Sequence, residues 1–81
     1  MRIRALFFAT YRDVAGADEI SVELPSGASI HDLVGHLRDR GGAWLKLPTR
    51  PAVALNLVYS QLTTALTDGD EVAFIPPVSG G

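Results

Sequence analysis

The chain contains no cysteine in its 81 residues. A disulfide scaffold, a zinc–thiolate centre and an internal thiol nucleophile are therefore excluded within it. It has a single lysine, Lys46, and no apolar run near the roughly 18 residues of a membrane span. The opening stretch "MRIRALFFAT" alternates basic and apolar residues, unlike the charged start and continuous apolar region of a secretory signal. Seven basic residues against nine acidic ones leave a net charge of −2. That lacks the basic field needed to hold nucleic acid. No phosphate loop, nucleophile–base pair, repeat or low-complexity tract is present. The histidines, His31 and His36, are five apart, so a helix would not bring them to one face as metal ligands. These absences predict a cytoplasmic domain with no metal, no cofactor of its own, no nucleic acid and no membrane among its partners.

What is present suits a small globular domain. Apolar residues make up 47% of the chain, ordinary for one domain near the lower size limit for a self-sufficient core. Residues 2–10, "RIRALFFAT", read as a strand with Ile3, Ala5 and Phe7 toward a core and Arg4, Leu6 and Phe8 on the other face. Residues 11–17, "YRDVAGA", read as a loop around Asp13 and Gly16. "DEISVEL" then alternates Ile20, Val22 and Leu24 with polar residues, a second strand that forms a hairpin with the first.

Ile30, Leu33, Val34 and Leu37 recur at helical spacing over 29–40. Ser29 is placed to accept from the free amides of the first turn, and Asp32 suits the positive helix start. Gly41–Gly42 supply the stop. Gly35, costly inside a helix, suggests a close approach to the sheet. Trp44 is expected to cover one end of the core. "AVALNLVY" at 52–59 reads as one long buried strand, "SQLTTAL" as a short strand or turn, "TDG" at 67–69 as a turn and "DEVAFI" at 70–75 as the last strand. Asn56 reads as a turn or bulge residue.

The order β-β-α-β-(β)-β with one apolar helix stripe predicts an α+β, two-layer β-grasp (ubiquitin-like) fold, one mixed sheet of four to five strands packed on one main helix. If the last strand pairs with the first, Leu6, Phe8 and Ile75 meet on the open face as a docking patch. The domain spans 1–75. Residues 76–81, "PPVSGG", form an extended, flexible tail ending in Gly-Gly. Pro76 and Pro77 cannot extend a ladder and stiffen the exit. Val78, Ser79, Gly80 and Gly81 add little bulk, so the last six residues, about 3.3 Å each, reach some 20 Å and suit a channel of backbone width. The plain alternative is a frayed end. A terminal Gly81 carboxylate is ionised and a poor electrophile. Activated by ATP, it could accept an amine, as a protein tag does, or a persulfide sulfur, ending as a thiocarboxylate.

"ALFFAT", Asn56 in the central run and "LTDGDEVAFIPPVSGG" at 66–81 together resemble the small, sulfur-carrier subunits of molybdopterin synthase, over the whole chain. The resemblance implies that an adenylyltransferase of the ubiquitin-activating type uses ATP to adenylate Gly81. A persulfide donor then makes the Gly81 thiocarboxylate. The carrier docks on the large synthase subunit, in a heterotetramer, and gives sulfur to cyclic pyranopterin monophosphate in molybdenum cofactor biosynthesis. Catalysis belongs to the complex, not to the chain alone. By position, Phe8, Tyr59 and Ile75 match the family's docking patch; Tyr59 stands where an aliphatic residue is common and Ile75 where an aromatic one is. Asp68, Asp70 and Glu71, read as clustering beside the tail's exit, have two readings: turn chemistry or an acidic strip for basic partner residues. A carrier for thiamine thiazole or tRNA thiolation, and a ubiquitin-like protein modifier, are the competing functions.

Overall fold

The computed structural model describes residues 1–77; Val78, Ser79, Gly80 and Gly81 lie outside the described residues. Five strands form one mixed sheet: β1 (Arg2–Phe7), β2 (Glu19–Glu23), β3 (Ala52–Leu55), β4 (Val58–Ser60) and β5 (Glu71–Ile75), in the order β2-β1-β5-β3-β4. β1 and β5 run parallel at the centre, and the other neighbours are antiparallel. This is the expected central pair.

Alternation along β1 and β5 divides the sheet into two faces. Ile3, Ala5, Phe7, Val22, Val53, Val72 and Phe74 point to one side and are essentially inaccessible. Helix α2 (Ile30–Arg38; α1 is introduced below) covers them with Ile30, Leu33, Val34 and Leu37. Its start is closed by a reciprocal capping box. The Ser29 hydroxyl accepts from the Asp32 amide, and the Asp32 carboxylate accepts from the Ser29 amide. The Ser29 amide, and after it the Ser29 hydroxyl donating to the same carboxylate, hold the Asp32 carboxyl below its usual range. Phe7 stacks on Phe74 at 5.3 Å and meets Trp44 edge-on at 5.5 Å, so Trp44 caps the end of the core as expected.

Four expectations need correction. First, residues 9–15 are a helix, α1 (Ala9–Ala15), not a loop, and β1 ends at Phe7 rather than residue 10. Tyr11 is buried, and Val14 and Ala15 share its face three and four residues on, which supplies the packing that holds this short helix. Gly16, at φ 71°, stops it. Second, "AVALNLVY" is not one strand. Asn56 and Leu57 have φ of 48° and 74°, the paired positive values of a two-residue hairpin turn, so the run folds back as β3 and β4. Its second half is exposed rather than buried. Third, Gly35 faces solvent, with nothing within 4 Å of where a Cβ would stand. No close approach to the sheet explains it. Fourth, Asp68, Asp70 and Glu71 lie at the start of β5, and Pro76 follows its far end. At about 3.3 Å per residue they are a whole strand length from the tail.

Candidate functional site

The open face of the sheet is built by the same strands that build the core. Pairing register places Glu19, Leu6, Ala73, Ala54 and Tyr59 in one row across β2, β1, β5, β3 and β4. Ala52 and Ile75 pair in the next row, beside Phe8 at the end of β1. The floor is thus alanine, with larger side chains on either side. Phe8 is 49% exposed and Tyr59 73%. Phe8, Tyr59 and Ile75, expected on one patch, are brought onto this one face.

The opposite margin is polar and internally neutralised. Arg4 pairs with Glu19 at 2.8 Å and with Glu71 at 3.5 Å. The Arg4 hydrogen bond holds the Glu19 carboxyl below its usual range, and the same contact raises Arg4. Asp70 accepts from the Thr67 amide, the Thr67 hydroxyl and the Asn56 side chain, so its carboxyl is also held low, chiefly by the Thr67 amide. Asn56 returns a bond by accepting from the Glu71 amide at 3.0 Å. Asp68 accepts from the Arg2 amide. These three acidic residues are therefore used within the fold: Asp70 fastens the turn before β5 to Asn56 of the β3–β4 hairpin, while Asp68 and Glu71 bond to Arg2 and Arg4 of β1. Asn56 is a turn residue, as read.

Where β5 ends, Pro76 is half-buried and Pro77 exposed. A groove of about 310 Å³ opens beside them, lined by Tyr11, Arg50, Tyr59, Ile75, Pro76 and Pro77 among others. It joins the apolar face to the root of the tail. Residues 43–51 carried no readable motif, yet Pro48, Arg50 and Pro51 form one wall. Tyr11 comes from the unforeseen α1, and the helical spacing of Tyr11, Val14 and Ala15 was the signal for it. Burial pushes the Tyr11 hydroxyl pKa up. Gly80 and Gly81, read as the reactive end, and Val78 and Ser79 lie outside the described residues. His31 and His36 stand exposed on α2, and no cluster of three or more metal-ligating side chains occurs among the described residues. No described helix is long and apolar enough to cross a membrane.

A mixed five-stranded sheet on one main helix, with a bare apolar outer face and a diproline leaving the central strand, defines a β-grasp protein of the ubiquitin-like class. Within that class the chain belongs to the ThiS family, whose model matches residues 5–81. It is 43% identical to the molybdopterin synthase sulfur carrier subunit of Chlamydomonas reinhardtii, with all of both chains covered. It is 38% identical to the subunit of that name from Haemophilus influenzae, covering 98% of this chain and 99% of the other. Among solved structures it is similar to SAMP1 from Haloferax volcanii, a small archaeal modifier protein. That pair has a TM-score of 0.86 at 28% identity, with all of both chains covered.

Proposed function

We propose that this chain is a sulfur carrier of molybdenum cofactor biosynthesis and acts as the small subunit of a molybdopterin synthase. The observation that supports this most is the apolar open face joined to a diproline exit, in a chain 43% identical along its length to a sulfur carrier subunit. On this reading the chain's own residues position and the partners react. Leu6, Phe8, Tyr59 and Ile75 bury against the large subunit. Pro76 and Pro77 cannot continue the β5 ladder, and Gly80–Gly81 offer a backbone without Cβ atoms to a narrow channel.

The Gly81 carboxylate attacks the α-phosphorus of ATP on an adenylyltransferase of the ubiquitin-activating type. Pyrophosphate leaves and an acyl adenylate remains. The terminal sulfur of a persulfide donor attacks the carbonyl carbon and AMP leaves. A thiol then cleaves the resulting acyl disulfide, giving the Gly81 thiocarboxylate and a disulfide. In the large subunit that sulfur attacks a carbon of cyclic pyranopterin monophosphate, a C–S bond forming as a C–O bond at that carbon breaks and its oxygen leaves, which gives a thioester between Gly81 and the pterin. Hydrolysis of the thioester leaves sulfur on the pterin and restores the Gly81 carboxylate. The chain has no cysteine, so no internal thiol intercepts the activated carbonyl. Carriers for thiamine thiazole or tRNA thiolation would share every step up to the acceptor.

The likeness to a small archaeal modifier protein supports a second reading, in which the same activated carbonyl is passed to a lysine. The deciding measurement is an intact mass after incubation with ATP, the activating enzyme and the persulfide donor. Replacement of one oxygen by sulfur, mapped to Gly81, is expected. An unmodified mass with an activator that loads a known carrier would remove the carrier reading, and Gly81–lysine conjugates in its place would establish the modifier.

A further inference from the structure

Among the described residues, the groove at the tail root is lined by a single charged side chain, Arg50. The chain has seven lysine and arginine residues in all, and five of them are engaged within the fold. Arg2 pairs with Glu23, Arg4 with Glu19 and Glu71, and Arg12 with Asp18. Arg38 donates to the carbonyls of Leu45 and Leu47, and Arg40 lies over the Trp44 ring at 5.3 Å. Lys46 and Arg50 have no such partner among the described residues. They differ in position. Lys46 lines a separate recess with Tyr11 and Asp13, where a carboxylate is at hand. Arg50 lines the groove that holds Tyr59, Ile75, Pro76 and Pro77, and no acidic residue lines that groove.

Arg50 also borders a second recess, with His31 and Leu62, but Tyr59 and Ile75 belong to both the open face and the groove, so a partner seated on the face reaches the groove that Arg50 lines. A guanidinium taken out of water with no counter-charge weakens binding strongly, whereas one met by a carboxylate in a bidentate pair fixes orientation. We infer that Arg50 is a docking anchor that pairs with a carboxylate of the large synthase subunit at the mouth of the channel receiving the tail. This rests on the carrier reading above and adds to it the chemistry of the partner at one point. The anchor lines the same groove as Pro76 and Pro77. Its pairing therefore fixes how the end of β5 and Pro76 meet the partner, an orientation that a flat apolar face does not supply.

The test is the affinity of the full-length chain for the large subunit of molybdopterin synthase from the same organism, by titration calorimetry at two salt concentrations. Arg50→Ala is expected to weaken binding about tenfold and Arg50→Glu about a hundredfold. Arg50→Lys should fall between wild type and Arg50→Ala, because an ammonium keeps the charge and loses the fork. Lys46→Ala removes the same charge outside the groove and should stay within about twofold of wild type, which separates a specific pair from general steering. Salt should weaken the wild type more than Arg50→Ala. Thermal melts of the free variants check that each is folded, as an exposed side chain with no internal partner predicts. Wild-type binding with Arg50→Glu also within twofold would overturn the anchor alone. Wild type that fails to bind the large subunit at all would overturn the carrier reading, and the anchor with it.

Discussion

The two faces of one sheet follow opposite rules although the same strands make both. On the helix side, Ile3, Ala5, Phe7, Val72 and Phe74 are sealed, and every neighbour is another part of this chain. On the outer side, Phe8 and Tyr59 stand exposed and Leu6 and Ile75 half-buried around alanines, with no described helix packed over them. The polar residues of that side are already satisfied by one another, as in the Arg4 pairs with Glu19 and Glu71. The chain thus finishes its folding on one face and leaves apolar area on the other. Substitutions should therefore separate cleanly into those that cost stability and those that cost association.

The largest expected effect is on the sealed face. Phe74 is fully buried and stacked on Phe7. Phe74→Ala removes a ring from the centre of the core and should cost about 3–5 kcal/mol. Total stability for a domain of this kind is about 5–15 kcal/mol, so urea titration should show a collapsed midpoint or loss of the folded baseline. A loss below about 1 kcal/mol would mean that the two faces are not energetically distinct.

The outer face should give the reverse. Tyr59→Asp changes a residue that is 73% exposed. The free chain should hold its melting midpoint, with a change within about 0.5 kcal/mol. Affinity for the large subunit should fall tenfold or more, because a carboxylate would be buried without a partner. Phe8→Asp should behave likewise. Unchanged affinity for both would show that the open face is not the docking surface.

The legibility of the chain follows the same division. The sealed face was readable because strict alternation in β1, β2 and β5 and the Ile30–Leu37 stripe record burial directly. Register also carried Leu6, Phe8 and Ile75 to one open face before the coordinates did. The β3–β4 hairpin was not readable. Its turn carries Leu57 where glycine usually stands, so an apolar run concealed a reversal. Helix α1 was too short to show a full stripe, has no side-chain cap and opens with Ala9 at φ 48°. The groove depends on how α1 and the 48–51 segment fold against the end of β5, which no local pattern encodes. For that reason Arg50 and Tyr11 carry no local signal of the groove they line.

A further substitution, at Asp70, probes the join between the two faces. Asp70 is held ionised by the Thr67 amide, the Asn56 side chain and the Thr67 hydroxyl. A carboxyl lowered in the folded state contributes stability that is present above its unfolded value, about 3.9, and lost as pH falls through its folded value. Asp70→Asn should cost about 1 kcal/mol at pH 7. The gap between wild type and variant should close as the pH drops below about 4. A gap that stays constant down to pH 2 would assign the loss to geometry and not to charge.

The smallest effect should have the opposite sign. Leu57 is 87% exposed and sits at φ 74°, a region that strains a residue with a Cβ and suits glycine. Leu57→Gly relieves that strain, of order 1–2 kcal/mol, and loses backbone entropy worth about 0.5–1 kcal/mol. The difference should leave the domain more stable by about 0.5 kcal/mol, visible as a modest rise in the denaturant midpoint at unchanged slope. The Asn-Gly pair so formed is the favoured one for this turn, so the register of β3 and β4 and the position of Tyr59 should be kept. If the change stabilises the free chain yet weakens binding to the large subunit, Leu57 itself is part of the association surface, and the strain at the hairpin tip is retained for contact. If both stability and affinity are kept or improved, the surface ends at Tyr59. A loss of stability would show that the exposed leucine contributes packing within the free chain, and the boundary between the two faces would then lie inside the hairpin and not along the sheet.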